Sequence, residues 1–226
     1  MKSNIMPVAG QEMKKASMMR DLFASDTVDI CPGMVLLRQF VDTAELQPEL
    51  ESILTVSPLR RMQTSRGFYL SVQSSNCGQL GWVSDRQGYR YSTLDPLTGQ
   101  SWPAMPKAFR ALAQHAAECA GFPGFMPDGC LINQYQPGAQ MGAHQDRDEA
   151  DADAPIVSVS MGIDARFFVT GPERRGRSSA VDLSDGDVVV FGGPARHHYH
   201  GVRKLKFSEH PRFGAVRWNL TFRKAG

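Results

Sequence analysis

From residue 130 onward the chain is cut into short runs that suit strands rather than helices. Residues 130–135, 156–161, 166–169, 180–183, 187–191, 199–202 and 216–222 are each four to seven residues long, and Gly, Pro or charged turns separate them. Many short strands at this spacing predict a sandwich or jelly roll over about 128–226. The earlier half differs. Residues 34–40 and 68–72 read as strands, and Asp42-Thr43 as the cap of a helix carrying Leu46, Leu50 and Ile53. Residues 106–120 place Phe109, Leu112, Ala113 and Ala116 on one helical stripe. The expected fold class is therefore mostly β with flanking helices.

Composition narrows what such a fold can do. At 226 residues the chain suits one domain with a sizeable core, expected over 28–226, and residues 1–27, which lack clear periodicity, are expected to form a mobile tail. A net charge of +2 excludes a polycationic nucleic-acid coat but allows a local basic patch. Cys31, Cys77, Cys119 and Cys130 form no CxxC pair, which argues against a zinc ribbon and for a reducing compartment. The first fifteen residues lack a signal-peptide apolar run, and no segment is apolar enough to span a bilayer. A cytoplasmic monomer is expected.

The stretch GAHQDRDE, residues 142–149, contains His144-x-Asp146, and His200 follows in Tyr199-His200-Gly201. Residues i and i+2 of a strand share a face, so His144 and Asp146 are predicted to reach one ion from one strand, with His200 brought from a second strand. Two imidazoles and a carboxylate make a facial triad for Fe(II). Taken alone, the stretch also reads as an exposed polar turn after Pro137-Gly138. His198 shares a strand face with His200 and is a second candidate near the metal.

The C-terminal run adds a constraint. Arg217, Asn219, Thr221 and Arg223 alternate with Trp218, Leu220 and Phe222. A strand here carries a basic face opposite an apolar one. Arg offers a donor fork suited to carboxylates, so an iron triad beside this strand suggests a dicarboxylate co-substrate, and 2-oxoglutarate fits. A solvated edge strand is the alternative.

Further stretches match a known family in order over roughly residues 20–226. They are Asn76-Cys77-Gly78 with Leu80-Gly81-Trp82, Arg86-Gln87-Gly88-Tyr89 with Tyr91-Ser92, Trp102-Pro103-Ala104-Met105-Pro106, and Leu131-Ile132-Asn133 with Tyr135. Pro137-Gly138-Ala139, His144-Gln145-Asp146 with Asp148-Glu149, residues 154–160 and 186–190, Tyr199-His200-Gly201 and residues 219–223 complete the set. The chain thereby resembles the AlkB family of Fe(II)- and 2-oxoglutarate-dependent dioxygenases, which repair alkylated nucleic-acid bases.

The resemblance implies a double-stranded β-helix core with an N-terminal nucleotide-recognition lid over about 60–95, a region that composition alone gives as long loops. It implies Fe(II), 2-oxoglutarate and O2 as cofactor and co-substrates. His144, Asp146 and His200 would be the metal ligands and catalytic centre, and Asn133, Tyr135, Arg217, Asn219 and Arg223 the 2-oxoglutarate site. Trp82 and His144 would sandwich a flipped base. Thr64, Tyr89 and Tyr91 would lie near the base edge and nucleotide backbone, and Asp148 and Glu149 near the base. Apart from the resemblance, Arg174, Arg175 and Arg177 form a basic loop that can meet phosphates, with a plain solvated loop as the alternative. The implied substrate is alkylated DNA, single strands favoured. The same chemistry on RNA or protein, or a non-catalytic metal-binding jelly roll, is the alternative. Two departures from the family stand out: His197-His198 replace apolar residues before the last ligand, and Ser74 replaces a larger apolar residue of the base pocket.

Overall fold

The computed structural model describes residues 27–226. The expected tail falls outside these residues except for Thr27, which opens the first strand. In chain order the elements are β1 (Thr27–Cys31), β2 (Met34–Leu37), α1 (Gln47–Val56), β3 (Arg60–Gln63), β4 (Tyr69–Gly78), β5 (Gly81–Asp85), β6 (Gly88–Ser92) and α2 (Lys107–Cys119). They continue with β7 (Gly129–Tyr135), β8 (Met141–His144), β9 (Ile156–Gly162), β10 (Ala165–Gly171), β11 (Ser179–Leu183), β12 (Val188–Phe191), β13 (Tyr199–Val202) and β14 (Arg217–Arg223).

The strands form an eight-stranded sheet in the order β1-β2-β12-β9-β14-β7-β4-β3, a four-stranded sheet β11-β10-β13-β8 and the hairpin β5-β6. β14 lies between β9 and β7, and all seven of its residues are buried. The edge-strand reading is thereby excluded. Trp218, Leu220 and Phe222 pack with Leu50 and Ile53 of α1 and with Phe109, Ala113 and Ala116 of α2. Phe222 meets Phe109 edge-on at 6.0 Å. Each fully buried side chain of this size contributes about 1.5–3 kcal/mol. A second cluster fills the space between the sheets, with Leu36, Ile156, Val189 and Phe191 facing Phe167, Val169 and Val202. The large sheet is thus covered by helices on one face and by the small sheet on the other, which is the jelly-roll arrangement. Arg217, Asn219, Thr221 and Arg223 look into the inter-sheet space.

Three local expectations are corrected. Asp42 and Thr43 do not cap α1; Asp42 accepts from the Ala44 N–H and the Thr43 hydroxyl donates to Asp185. The helix starts at Gln47 with a proline in its first turn, where the missing N–H costs nothing. The strand expected over 68–72 runs instead to Gly78. The region 60–95 is not irregular loop: it holds β3, β4 and the β5-β6 hairpin. Among the described residues no helix is long and apolar enough to cross a membrane.

Candidate active site

β8 and β13 are neighbours in the small sheet, with His144 directly opposite His200. His144 Nδ1 is 3.0 Å from the Gly142 carbonyl, and His200 Nδ1 is 3.0 Å from the His198 carbonyl. A carbonyl only accepts, so each Nδ1 carries the proton and each Nε2 presents a lone pair. Those Nε2 atoms point at Asp146, at 3.6 and 3.9 Å. β8 ends at His144, so Asp146 does not share its strand as expected. Irregular chain begins at Gln145, whose side-chain amide donates to the His197 carbonyl, and the Asp146 carboxylate that follows lies near both rings. The donor atoms of all three residues lie within 4.8 Å of one another. His198 contributes its carbonyl, while its ring lies 3.6 Å from the Cys31 sulfur and away from the triad.

Gly201 makes this closeness of strands feasible. A Cβ there would stand 2.5 Å from the Met141 carbonyl and 2.8 Å from the Phe168 ring. Gly201→Ala is therefore expected to push β8 from β13, pulling His144 from His200. Fe(II) or Mn(II) affinity measured by calorimetry should fall at least tenfold, with the rest of the fold retained.

The electrostatics suit a cation. Burial alone would raise the Asp146 pKa, but Arg223 and the two imidazoles hold it well below the usual carboxylate range. Burial, reinforced by His144, pulls His200 down to about 4. At neutral pH the centre is one carboxylate with a neutral His200 ring, a hard oxygen beside an imidazole nitrogen.

A cavity of about 340 Å³ opens over the triad. Arg223 closes its floor: Nη2 donates to Asp146 at 3.0 Å, and Nε lies 3.1 Å from Glu149 without hydrogen-bond alignment. Burial opposes the Arg223 charge, but Asp146, Tyr91 and Glu149 together outweigh it and raise its pKa. Arg217 is 2 % exposed, packs its guanidinium 5.0 Å from the Tyr135 ring centre and donates Nη2 to Ser160. Among the described residues its Nε and Nη1, and Nη1 of Arg223, are buried without hydrogen-bond partners. Buried donors on a cation call for an anion. The residues present therefore fit both an Fe(II) ion and a dicarboxylate.

Asn133 and Tyr135 face the same cavity from β7. Asn219 lines it too, but its amide is engaged: Nδ2 donates to Ser158 Oγ and the Val159 carbonyl, and Oδ1 accepts from Thr221. It shapes the wall and leaves Ser158 facing inward.

The mouth is aromatic and acidic. Asn76 holds the Trp82 backbone by a paired hydrogen bond, donating to its carbonyl and accepting from its N–H, both at 3.0 Å. The Trp82 ring stacks on Tyr89 at 5.5 Å, and its Nε1 donates to Asp148 at 2.9 Å. Glu149 lines the cavity but is spoken for, by the Tyr91 hydroxyl at 2.7 Å and Arg196 at 3.1 Å. Tyr91 is a brace between the hairpin and this acid. Thr64 lies outside the cavity, closing the β3–β4 turn by accepting from the Phe68 N–H. Arg174 and Arg175 also lie outside it, in a groove on the other side of β8 shared with Arg203.

Sequence reasoning missed Arg196, which is 2 % exposed and donates to the Asp146 carbonyl at 2.8 Å, to the Ala154 carbonyl and to Glu149. A single Arg before two His carries no periodic signal. Ser158 and Ser160 were also missed, although their i, i+2 spacing in β9 places both toward β14's polar face.

Comparison with known proteins agrees with this geometry. A family model described as the 2OG-Fe(II) oxygenase superfamily, 2OG being 2-oxoglutarate, matches residues 33–223. The chain is 47 % identical over 213 residues to the alpha-ketoglutarate-dependent dioxygenase AlkB of Escherichia coli, covering 92 % of this chain and 99 % of that protein. It is 39 % identical over 200 residues to an AlkB homologue of Caulobacter vibrioides, covering 87 % of this chain and 89 % of that one. Among solved structures, OsALKBH1 superimposes with a TM-score of 0.78 at 28 % identity, covering 88 % of this chain and 99 % of that chain. The chain belongs to the 2OG-Fe(II) oxygenase superfamily, within its AlkB dioxygenases, and is an iron- and 2-oxoglutarate-dependent enzyme.

Proposed function

We propose that this enzyme oxidatively removes alkyl groups from N-alkylated bases, of the 1-methyladenine and 3-methylcytosine type, in DNA. The observation that carries the reading is Trp82 at the mouth of a cavity floored by the triad, its ring nitrogen tied to the Asp148 carboxylate. A flat π-face beside a carboxylate suits a flat cation, and an alkylated base is one. Bound there, the ion and its co-substrates would convert an N–CH3 group, O2 and 2-oxoglutarate into N–CH2OH, succinate and CO2, and the hemiaminal would then release formaldehyde.

The protein's own part is placement. His144, Asp146 and His200 would hold the ion; Arg217, Arg223, Asn133 and Tyr135 would hold the dicarboxylate. Trp82 and His144 would flank the base, with Tyr89 on the outer side of Trp82. The 60–95 region acts as the lid on a single domain spanning 28–226. Arg174 and Arg175 would meet phosphates outside the pocket rather than the base. Single strands are favoured because flipping a base from a duplex costs a few kcal/mol. The free cysteines suit a reducing cytoplasm, and a monomer suffices because one chain supplies every group named. RNA is the second substrate class; S. pombe abh1, a tRNA demethylase, is 30 % identical over 128 residues.

Asp148→Asn tests the charge argument. It keeps an oxygen to accept from Trp82 and removes the negative charge. Repair of 3-methylcytosine should slow about tenfold or more, and repair of neutral 3-methylthymine much less. Equal slowing of the two would show that Asp148 acts through Trp82 geometry alone.

A further inference from the structure

We infer that Ser74 is a positioning residue that fixes the Asn133 amide for 2-oxoglutarate. The inference rests on the co-substrate role proposed for Asn133. Ser74 lies on β4 directly opposite Asn133 on β7, and both face the cavity. Ser74 is 1 % exposed and Asn133 5 %. The Ser74 hydroxyl stands 2.7 Å from Asn133 Oδ1, and this is the one side-chain hydrogen bond Asn133 makes among the described residues. Its Nδ2 therefore has both protons free at the cavity wall.

The direction of that bond follows from the ligand. A carboxylate only accepts, so it can meet only the NH2 edge of Asn133. The amide oxygen must then turn into the wall, where a buried acceptor needs a donor. Ser74 supplies the O–H. The contrast with Asn219 is informative: its amide protons are consumed by Ser158 and Val159. Asn133 is the wall amide kept free, and Ser74 is what keeps it facing the right way. Without a hydroxyl at 74, Oδ1 is left unpaired whenever the NH2 faces the ligand, and the flipped amide would turn its oxygen on a carboxylate.

The test is calorimetric titration of 2-oxoglutarate into the Mn(II)-loaded protein, with apparent KM against kcat measured in parallel. Ser74→Ala should weaken binding about 3- to 10-fold, the range for one hydrogen bond. The apparent KM for 2-oxoglutarate should rise more than kcat falls. Ser74→Thr retains the hydroxyl and should bind several-fold more tightly than Ser74→Val, which has the same shape without it. In Asn133→Ala, a further Ser74→Ala should have no additional effect on affinity. Equal affinities for the Thr and Val variants, wild-type affinity in Ser74→Ala, or additive losses in the double variant would each overturn the assignment. Failure of the wild type to bind 2-oxoglutarate would instead overturn the co-substrate reading beneath it.

Discussion

Replacing His144 with alanine is expected to lower turnover by more than about 100-fold while leaving the melting temperature within a few degrees of wild type. Loss of a group merely supporting a metal ligand costs about 10- to 100-fold, and loss of a ligand should exceed that. The side chain is 39 % exposed, so its removal opens no cavity. His200→Ala should be equally inactive. Asp146→Ala should differ in kind. Its carboxylate is the partner of buried Arg223, and breaking such a pair costs about 3–5 kcal/mol. Glu149, 3.1 Å from the same guanidinium, offsets part of this. Loss of activity with loss of stability at 146, against loss of activity alone at 144, is the expected signature; melting curves with succinate assays read it. Near-normal succinate formation by both His variants would remove the triad from the mechanism.

The two arginines should separate in the same way. Arg217→Ala is expected to weaken 2-oxoglutarate binding about 10- to 150-fold, the range for one lost charge-assisted hydrogen bond. It should not destabilise the ligand-free protein, because Arg217 there carries two buried, unpartnered donors and burial already pulls its pKa down. Arg223→Ala should weaken binding and destabilise as well, by leaving Asp146 buried without its cation, while Glu149 keeps Arg196. Titration of 2-oxoglutarate with thermal melts of both variants distinguishes these outcomes. A ligand-free Arg217→Ala protein that melts far below wild type would show that Arg217 is structural rather than held ready for an anion.

What could be read from sequence follows from how strongly a pattern constrains a backbone. β14 was legible because Arg217 to Arg223 alternate without a break, and that alternation is what divides its two faces between α2 and the cavity. The strands of the core were legible because their apolar runs have few alternatives. The second half of β4 was not, since Ser74, Ser75 and Asn76 look like loop residues. Their burial is tolerated only because Ser75 reaches the Ser57 carbonyl, Ser74 reaches Asn133, and Asn76 pairs with the Trp82 backbone, partners 18, 59 and 6 residues away. The triad types were legible, but the route by which Asp146 arrives was not, because the strand ends at His144 and Asp146 lies in irregular chain, outside strand periodicity. Glu149 and Tyr91 show the converse limit. The resemblance placed both near substrate; the structure adds that they are bonded to each other and that Glu149 is paired with Arg196 and Arg223, which no local spacing encodes.

That these residues serve oxidative dealkylation of a base can be checked by mass spectrometry of a single-stranded oligonucleotide carrying one 1-methyladenine or 3-methylcytosine, after incubation with the enzyme, Fe(II), O2 and 2-oxoglutarate. The expected result is a loss of 14 mass units per lesion, the CH2 by which N–CH3 exceeds N–H, absent when 2-oxoglutarate is omitted or His144 is alanine. An oligonucleotide of unchanged mass, in a reaction where 2-oxoglutarate is turned over to succinate, would contradict it.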